Sequence, residues 1–418
     1  MTAITAHFQI VTPMFLGGAG HEAESIRPPS VKGALRFWWR ALNWGRFRRN
    51  AADDIAALQT LHREEARLFG TAAKERKGGQ GVFLLAVRHA VVDTGKDFTK
   101  SFTGTAYLKG MGLNDRNAIK PGGRFEVVLR FRPGLDAADR SQIEDALRAF
   151  GIAGGLGARS RRGFGSVVRL MADGRNGHRL PTETELNGEI VWLKKQIPKN
   201  SGPIRSAPPF SAFADGFALG YTGPVRAENS DVLEDIGAKF NRFRTNGTAA
   251  IYKRDKTTKQ MVIDRAAKPG CRIVGSADIP ITNLRFFATD HHSVHAIARA
   301  RSIPTGTTGP ERSIFGLPHP YRFSSLKGTN VVFDYAPNPS NPSRRASPLF
   351  IHVCAFRDGN ENERYMPLIL LLESRFLPRG AQLRVKVGSL SVGSVPVPVS
   401  FQPVKDFLSS GTTGLMSW

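Results

Sequence analysis

Residues 154–167, GGLGARSRRGFGSV, set five glycines (Gly154, Gly155, Gly157, Gly163 and Gly165) around three arginines (Arg159, Arg161 and Arg162). Glycine accepts positive φ and close backbone approach, so this run folds most readily as a tight loop. Its flanks restrict it further. Residues 136–150 have the apolar spacing of an amphipathic helix, and residues 164–170 read as a strand. Nucleotide-binding motifs run in another order, with glycines that follow a strand and open a helix whose N-terminus faces the phosphate. Neither GxGxxG nor GK[ST] occurs in the loop. A small-nucleotide site is therefore disfavoured, which leaves a loop that holds a polyanion or a solvated basic turn.

Charge favours the polyanion. Among 418 residues, 59 Lys plus Arg against 35 Asp plus Glu leave a formal charge of +24. An excess of that size calls for a nucleic acid or an acidic membrane surface. The longest apolar run, residues 366–372, is far short of the roughly 20 residues of a spanning helix, so no membrane partner is expected. The N-terminal MTAITAHFQIV has no basic head before its apolar stretch, and a cytoplasmic location is expected. Two cysteines, Cys271 and Cys354, cannot build a disulfide framework and fit a reducing compartment. The hydrophobic fraction of 41% is that of a folded protein, and the length allows two or three domains.

Along the chain, residues 3–11 predict a strand and residues 15–30 a glycine-rich loop, with Ser30 placed to cap a helix starting at Val31. On that helix Val31, Leu35, Trp38 and Leu42 share a core-facing stripe. Lys32, Arg36 and Arg40, spaced by four, form a basic ridge, and Trp39 is expected to project beside it. Residues 55–69 predict a second helix, with Ile55 among its apolar positions, and residues 71–80 an exposed basic loop. Strands follow at 81–92 and 124–132, with a short one at 103–108 and a basic excursion at 109–123. With the helix at 136–150 and the strand after the glycine loop, the order is β-α-β-β-α-β, that of a ferredoxin-like fold. The expected fold class is thus α+β, with a first ferredoxin-like domain over residues 1–172, a linker over 173–210 and a second, degraded one with insertions over 211–418. A helix at 231–244 and strands at 349–356, 366–373 and 382–387 belong to the latter.

At the N-terminus, TPMFLGGAG (residues 12–20) and RPPSVKGALRFWWRAL (residues 27–42) resemble the opening of the first RAMP-superfamily subunit of the type III-B (Cmr) CRISPR RNA-guided effector complex. The loop at 154–165 is similar to the glycine-rich loop of RAMP proteins, and RSIFGLPHPYRF (312–323) and RRASPLF (344–350) extend the likeness more patchily. The resemblance implies two RRM-like domains in a ribonucleoprotein, contacting the guide RNA toward its 3′ end and a paired target RNA beside other RAMP subunits. It implies neither target cleavage nor a cofactor. Lys32, Arg36, the glycine loop, Arg344 and Arg345 are the RNA contacts it carries over.

Other chemistry is weaker. HHxxH at His291, His292 and His295 lacks the glutamate of a zinc protease signature, so no metal site is expected. Ser313, Asp290 and His319 form no known nucleophile motif. A metal-independent nuclease would draw its base from His7, His21 or His62 and its charge stabiliser from Lys32 or Arg162, but no spacing selects a set. Aromatic groups are more coherent: Phe15, His21, Trp39 and Phe164 lie in or beside glycine loops and basic stretches, where unpaired bases stack. A non-catalytic RNA-binding subunit leads. A nuclease that processes CRISPR transcripts and a basic assembly scaffold are the alternatives.

Overall fold

Alternating Ala6, Phe8 and Ile10 are the buried residues that pin the first strand, β1 (Ala3–Ile10), to the core. We describe the chain from a computed structural model, over residues 3–17, 23, 25–71, 79–96, 104–113, 116–174, 177–197, 206–246, 252–254, 257, 261–263, 289–323, 326–338, 341–410 and 414–418. The first helix, α1 (Pro28–Arg49), begins three residues before the expected Val31: Arg27 is its N-cap, and Ser30 lies inside its first turn. Proline suits a first helical position because its φ is already helical and its missing N–H would have no partner there. The second helix, α2 (Asp54–Phe69), opens on Asp53, whose carboxylate accepts from the Ala56 N–H at 2.8 Å, and ends at Gly70 with φ 83°. Its Ile55 is exposed, while Ala57, Leu61, Leu68 and Phe69 are buried.

After β2 (Phe83–Val91) comes α3 (Gly104–Lys109), where the sequence predicts a strand. The backbone N–H groups of Gly104 and Thr105 donate to the Glu234 carboxylate at 2.8 and 3.0 Å, a cap from a remote helix that local sequence does not announce. The basic excursion is also partly internal, since Ala118 and Ile119 are buried and pair with Thr94–Gly95. Next come β3 (Arg124–Phe131), α4 (Ala137–Ala153) and β4 (Val167–Arg169). The sheet order is β2-β3-β1-β4, antiparallel throughout, with α1 and α4 in the two crossovers. That is the expected ferredoxin-like connectivity. Phe8 faces Phe125 across the sheet and meets Phe150 of α4, each at 5.3 Å between ring centroids.

The expected linker contains α5 (Glu183–Lys195), started by a Thr182–Glu185 capping box and held by buried Leu186, Ile190 and Leu193. The longer elements that follow are β5 (Ala218–Thr222), α6 (Asn229–Asn246), α7 (Thr289–Ala300), β6 (His319–Phe323), β7 (Thr329–Asn338), β8 (Leu349–Arg357), β9 (Glu363–Leu372), β10 (Gln382–Val387), β11 (Leu390–Pro396) and α8 (Gln402–Ser409). The second sheet has the order β8-β9-β5, the order of the second, third and first strands of a ferredoxin-like sheet. Beyond β5, the Trp418 N–H donates to the Gly220 carbonyl at 3.0 Å.

Compactness divides the chain differently from the expected cuts at 172 and 210. One unit is 1–237 with 350–374 and Trp418; the other is 238–349 with 375–417. In the first unit the two sheets share one hydrophobic core. Trp38 of α1 helps to join them, its ring meeting both Phe213 and Phe350 at 6.3 Å. In the second unit β6-β7-β10-β11 form a sheet, and Phe240, Phe243, Phe315 and Phe407 make an aromatic core with centroids 5.1–6.3 Å apart. No helix among the described residues is long and apolar enough to cross a membrane.

Candidate nucleic-acid interface

The glycine loop is tightly folded. Thr12 Oγ1 donates to the Gly163 carbonyl at 2.6 Å and accepts from the Ser166 N–H at 2.9 Å. The Ser166 hydroxyl donates to the same carbonyl at 3.1 Å and accepts from the Val353 N–H at 3.2 Å. Further backbone bonds run from Gly165 to Pro13 and from Ala158 to Phe15, both 2.9 Å. Gly157 has φ +84°, and a Cβ there would lie 2.5 Å from the Phe15 carbonyl oxygen; at Gly165, with φ +64°, it would collide with the Leu156 carbonyl. Gly157 is thus required by packing against Phe15, and Gly165 by packing against the loop's own Leu156.

This fold presents the arginines unequally. Arg159 is exposed at φ +64°, and its Nε donates to the Lys109 carbonyl at 3.0 Å. Arg161 is half-buried, with its guanidinium 4.4 Å from the Phe350 ring centroid and 5.5 Å from that of Phe37. Burial lowers its pKa to about 10, which still leaves it charged at neutral pH. Arg162 is half-buried at the turn, its N–H donating to the Arg159 carbonyl at 2.7 Å.

Helix α1 carries two clefts on different faces. One, of about 300 Å³, lies between its first turns and the glycine loop, and includes Ser30, Phe37, Gly155, Ser160, Arg161 and Phe350 in its walls. The other, of about 460 Å³, is lined by Lys32, Arg36, Phe69, Gly70, Thr71 and Gly79–Gly81. Among the described residues these two clefts have no lining residue in common. The ridge is also partly neutralised, since Arg36 Nε and Arg40 Nη1 both reach Glu65 Oε1 at 2.6 Å, and that carboxylate is only 4% exposed. Lys32 sits 5.8 Å from the Phe83 ring centroid, with its pKa lowered by burial and then by Arg36.

Several expected positions are corrected. Trp39 does not stand beside the ridge as a stacking surface; it is fully buried against Phe47 and Phe69, because α2 closes over that side of α1. Phe15 is buried too, 5.5 Å from Phe164, which is itself in the core. His21 lies outside the described residues, as do Cys271 and most of the 71–80 loop. Arg344 is exposed and Arg345 packs over Tyr335 at 5.1 Å, but both belong to the second unit, whereas the loop and ridge belong to the first.

Histidines are scattered. His7 stacks on His178 at 3.4 Å beside Glu126, and burial, then His178, lowers its pKa. His62 is exposed on α2. His291 and His295 pack against Phe323 at 5.0 and 5.2 Å, and among the described residues no cluster of three His, Cys, Asp or Glu could hold a metal. Asp290 instead pairs with Arg312 and accepts from the Tyr321 hydroxyl at 3.0 Å. The sequence reading missed Phe37, Ser160, Phe350 and Glu65. Phe37 adjoins the Trp pair, Ser160 lies between the arginines and Phe350 closes the RRASPLF segment, but nothing near Glu65 marks it.

The family model for the RAMP superfamily matches residues 7–168, from β1 through β4. The match covers less than half of the chain. The chain is 30% identical over 210 residues to the CRISPR system Cmr subunit Cmr1-1 of Pyrococcus furiosus, covering 46% of this chain and 59% of that protein. It is 26% identical over 190 residues to Cmr1-2 of the same organism, 38% of this chain and 90% of that one. The matched segment thus spans less than two thirds of Cmr1-1. The crystal structure of apo Cmr1 from P. furiosus has the same fold, with a TM-score of 0.51, 17% identity and 90% coverage of both chains. The resemblance to a Cmr RAMP subunit expected from the N-terminal motifs is upheld.

Proposed function

We propose that this protein is a RAMP-superfamily, non-catalytic RNA-binding subunit of a type III-B CRISPR effector complex. It contacts the guide RNA toward its 3′ end and the paired target RNA, alongside other RAMP subunits. The observation that carries this reading is the glycine loop, whose folded backbone leaves Arg159 exposed and sets Arg161 in the wall of an aromatic-lined cleft. A loop of this kind meets backbone phosphate without reading sequence, which suits a system whose specificity comes from base pairing. The net charge of +24 supplies the long-range attraction.

The test is single-stranded RNA affinity measured against salt for wild type, Arg159→Ala and Arg162→Ala. Loss of one phosphate contact flattens the slope of log K against log salt by about 0.7. Unchanged affinity and slope in both variants would remove the loop from the interface. Incubation with labelled repeat RNA in EDTA checks the nuclease alternative, for which specific cutting would be required.

A further inference from the structure

We propose that the 300 Å³ cleft between α1 and the glycine loop takes one unstacked nucleobase of a single-stranded RNA. This rests on the RNA-binding reading above and assigns the cleft a role distinct from backbone contact. Its volume is at the small end of the roughly 300–1,000 Å³ range of ligand pockets, enough for a base and too small for a base pair with its backbone.

The walls suit a flat aromatic ligand and not a phosphate. Half-buried Phe37 and buried Phe350 present rings, and the Arg161 guanidinium lies over both, adding a planar cation that stacks on bases. Two hydroxyls come from separate elements, Ser30 from α1 and Ser160 from the loop. Each can donate or accept, so the pair can meet the polar edge of more than one base.

Two glycines of the lining are fixed by close backbone packing behind the cleft. A Cβ on Gly157 would lie 2.5 Å from the Phe15 carbonyl oxygen, and one on Gly155 would lie 2.9 Å from that of Gly165. Their positions in the lining therefore stay free of side chains. With the base inside, the phosphates on either side stay outside the cleft, where Arg159 is exposed.

The experiment compares binding of a single-stranded RNA with binding of an abasic ribose-phosphate oligomer of equal length, using the full chain. Wild type should prefer the base-bearing strand by about tenfold, within the range of base–aromatic stacking. Ala34→Phe, which fills the cleft from its half-buried α1 wall, should lower that preference at least threefold and leave the salt slope unchanged. Arg159→Ala should weaken both strands alike. If Ala34→Phe melts below wild type, Phe37→Ala, which removes a ring, replaces it. Full retention of the preference in the folded variant overturns the base pocket. Failure of wild type to bind either strand overturns the RNA-binding reading instead.

Discussion

Replacing Glu65 by Gln asks whether the basic ridge is held by the fold or held ready for a ligand. One oxygen of this carboxylate takes short contacts from both Arg36 and Arg40 at 2.6 Å, and its side chain is 4% exposed. Breaking a fully buried ion pair costs about 3–5 kcal/mol. Both arginine side chains are 33% exposed, so water recovers part of that, and a loss of about 2 kcal/mol is the reasonable figure. In a folded unit of this size each kcal/mol moves the melting temperature by about 2–4 °C, so Glu65→Gln should melt about 4–8 °C below wild type. Thermal unfolding by circular dichroism measures it. The same variant releases a positive charge, and if the ridge meets phosphate the salt slope of RNA binding should steepen by up to about 0.7. A melting temperature within about 1 °C of wild type would refute the claim that Glu65 anchors the ridge. A lowered melting temperature with an unchanged slope would make the ridge structural alone.

Two further outcomes follow from the packing. Gly157→Ala combines a φ of +84° with a Cβ 2.5 Å from the Phe15 carbonyl, so it should cost 2 kcal/mol or more by denaturant titration, whereas Gly174→Ala, which has open space at φ +76°, should cost about 1 kcal/mol. His352 is fully buried on β8, and burial lowers its pKa to about 3. The unfolded chain takes up a proton near pH 6.5 that the folded chain refuses until about pH 3, so stability falls as pH drops through that window. The slope contributed is at most about 1.4 kcal/mol per pH unit, and His352→Leu should flatten the fall in urea midpoint between pH 7 and pH 5.

Local chemistry wrote much of the first domain into the sequence. Apolar spacing located β1, α1 and α4, whereas the caps at Asp53 and Asp136, whose short carboxylates take N–H groups within three residues, are seen in the structure. The glycine loop was legible as a loop, and its place after α4 excluded the nucleotide motifs. Harder to read were features whose cause lies far away in the chain. Gly104–Lys109 is a helix because Glu234 caps it, and the loop's shape is set by Thr12 and Val353.

The sequence by itself determined the positive charge and the β-α-β-β-α-β order, which follow from composition and from spacing within single elements, and it carries N-terminal motifs that resemble those of RAMP proteins. Only the tertiary structure decided which side chains face solvent. Trp39 and the ridge are neighbours on one helix, yet α2 buries the first and supplies Glu65 to neutralise part of the second. Phe15, in a glycine loop that suggested stacking, is covered by Phe164 from the loop 149 residues on, while Phe37 remains half-open beside Phe350. A periodic pattern states which way a side chain points along its own element; what stands in front of it is supplied by the rest of the chain.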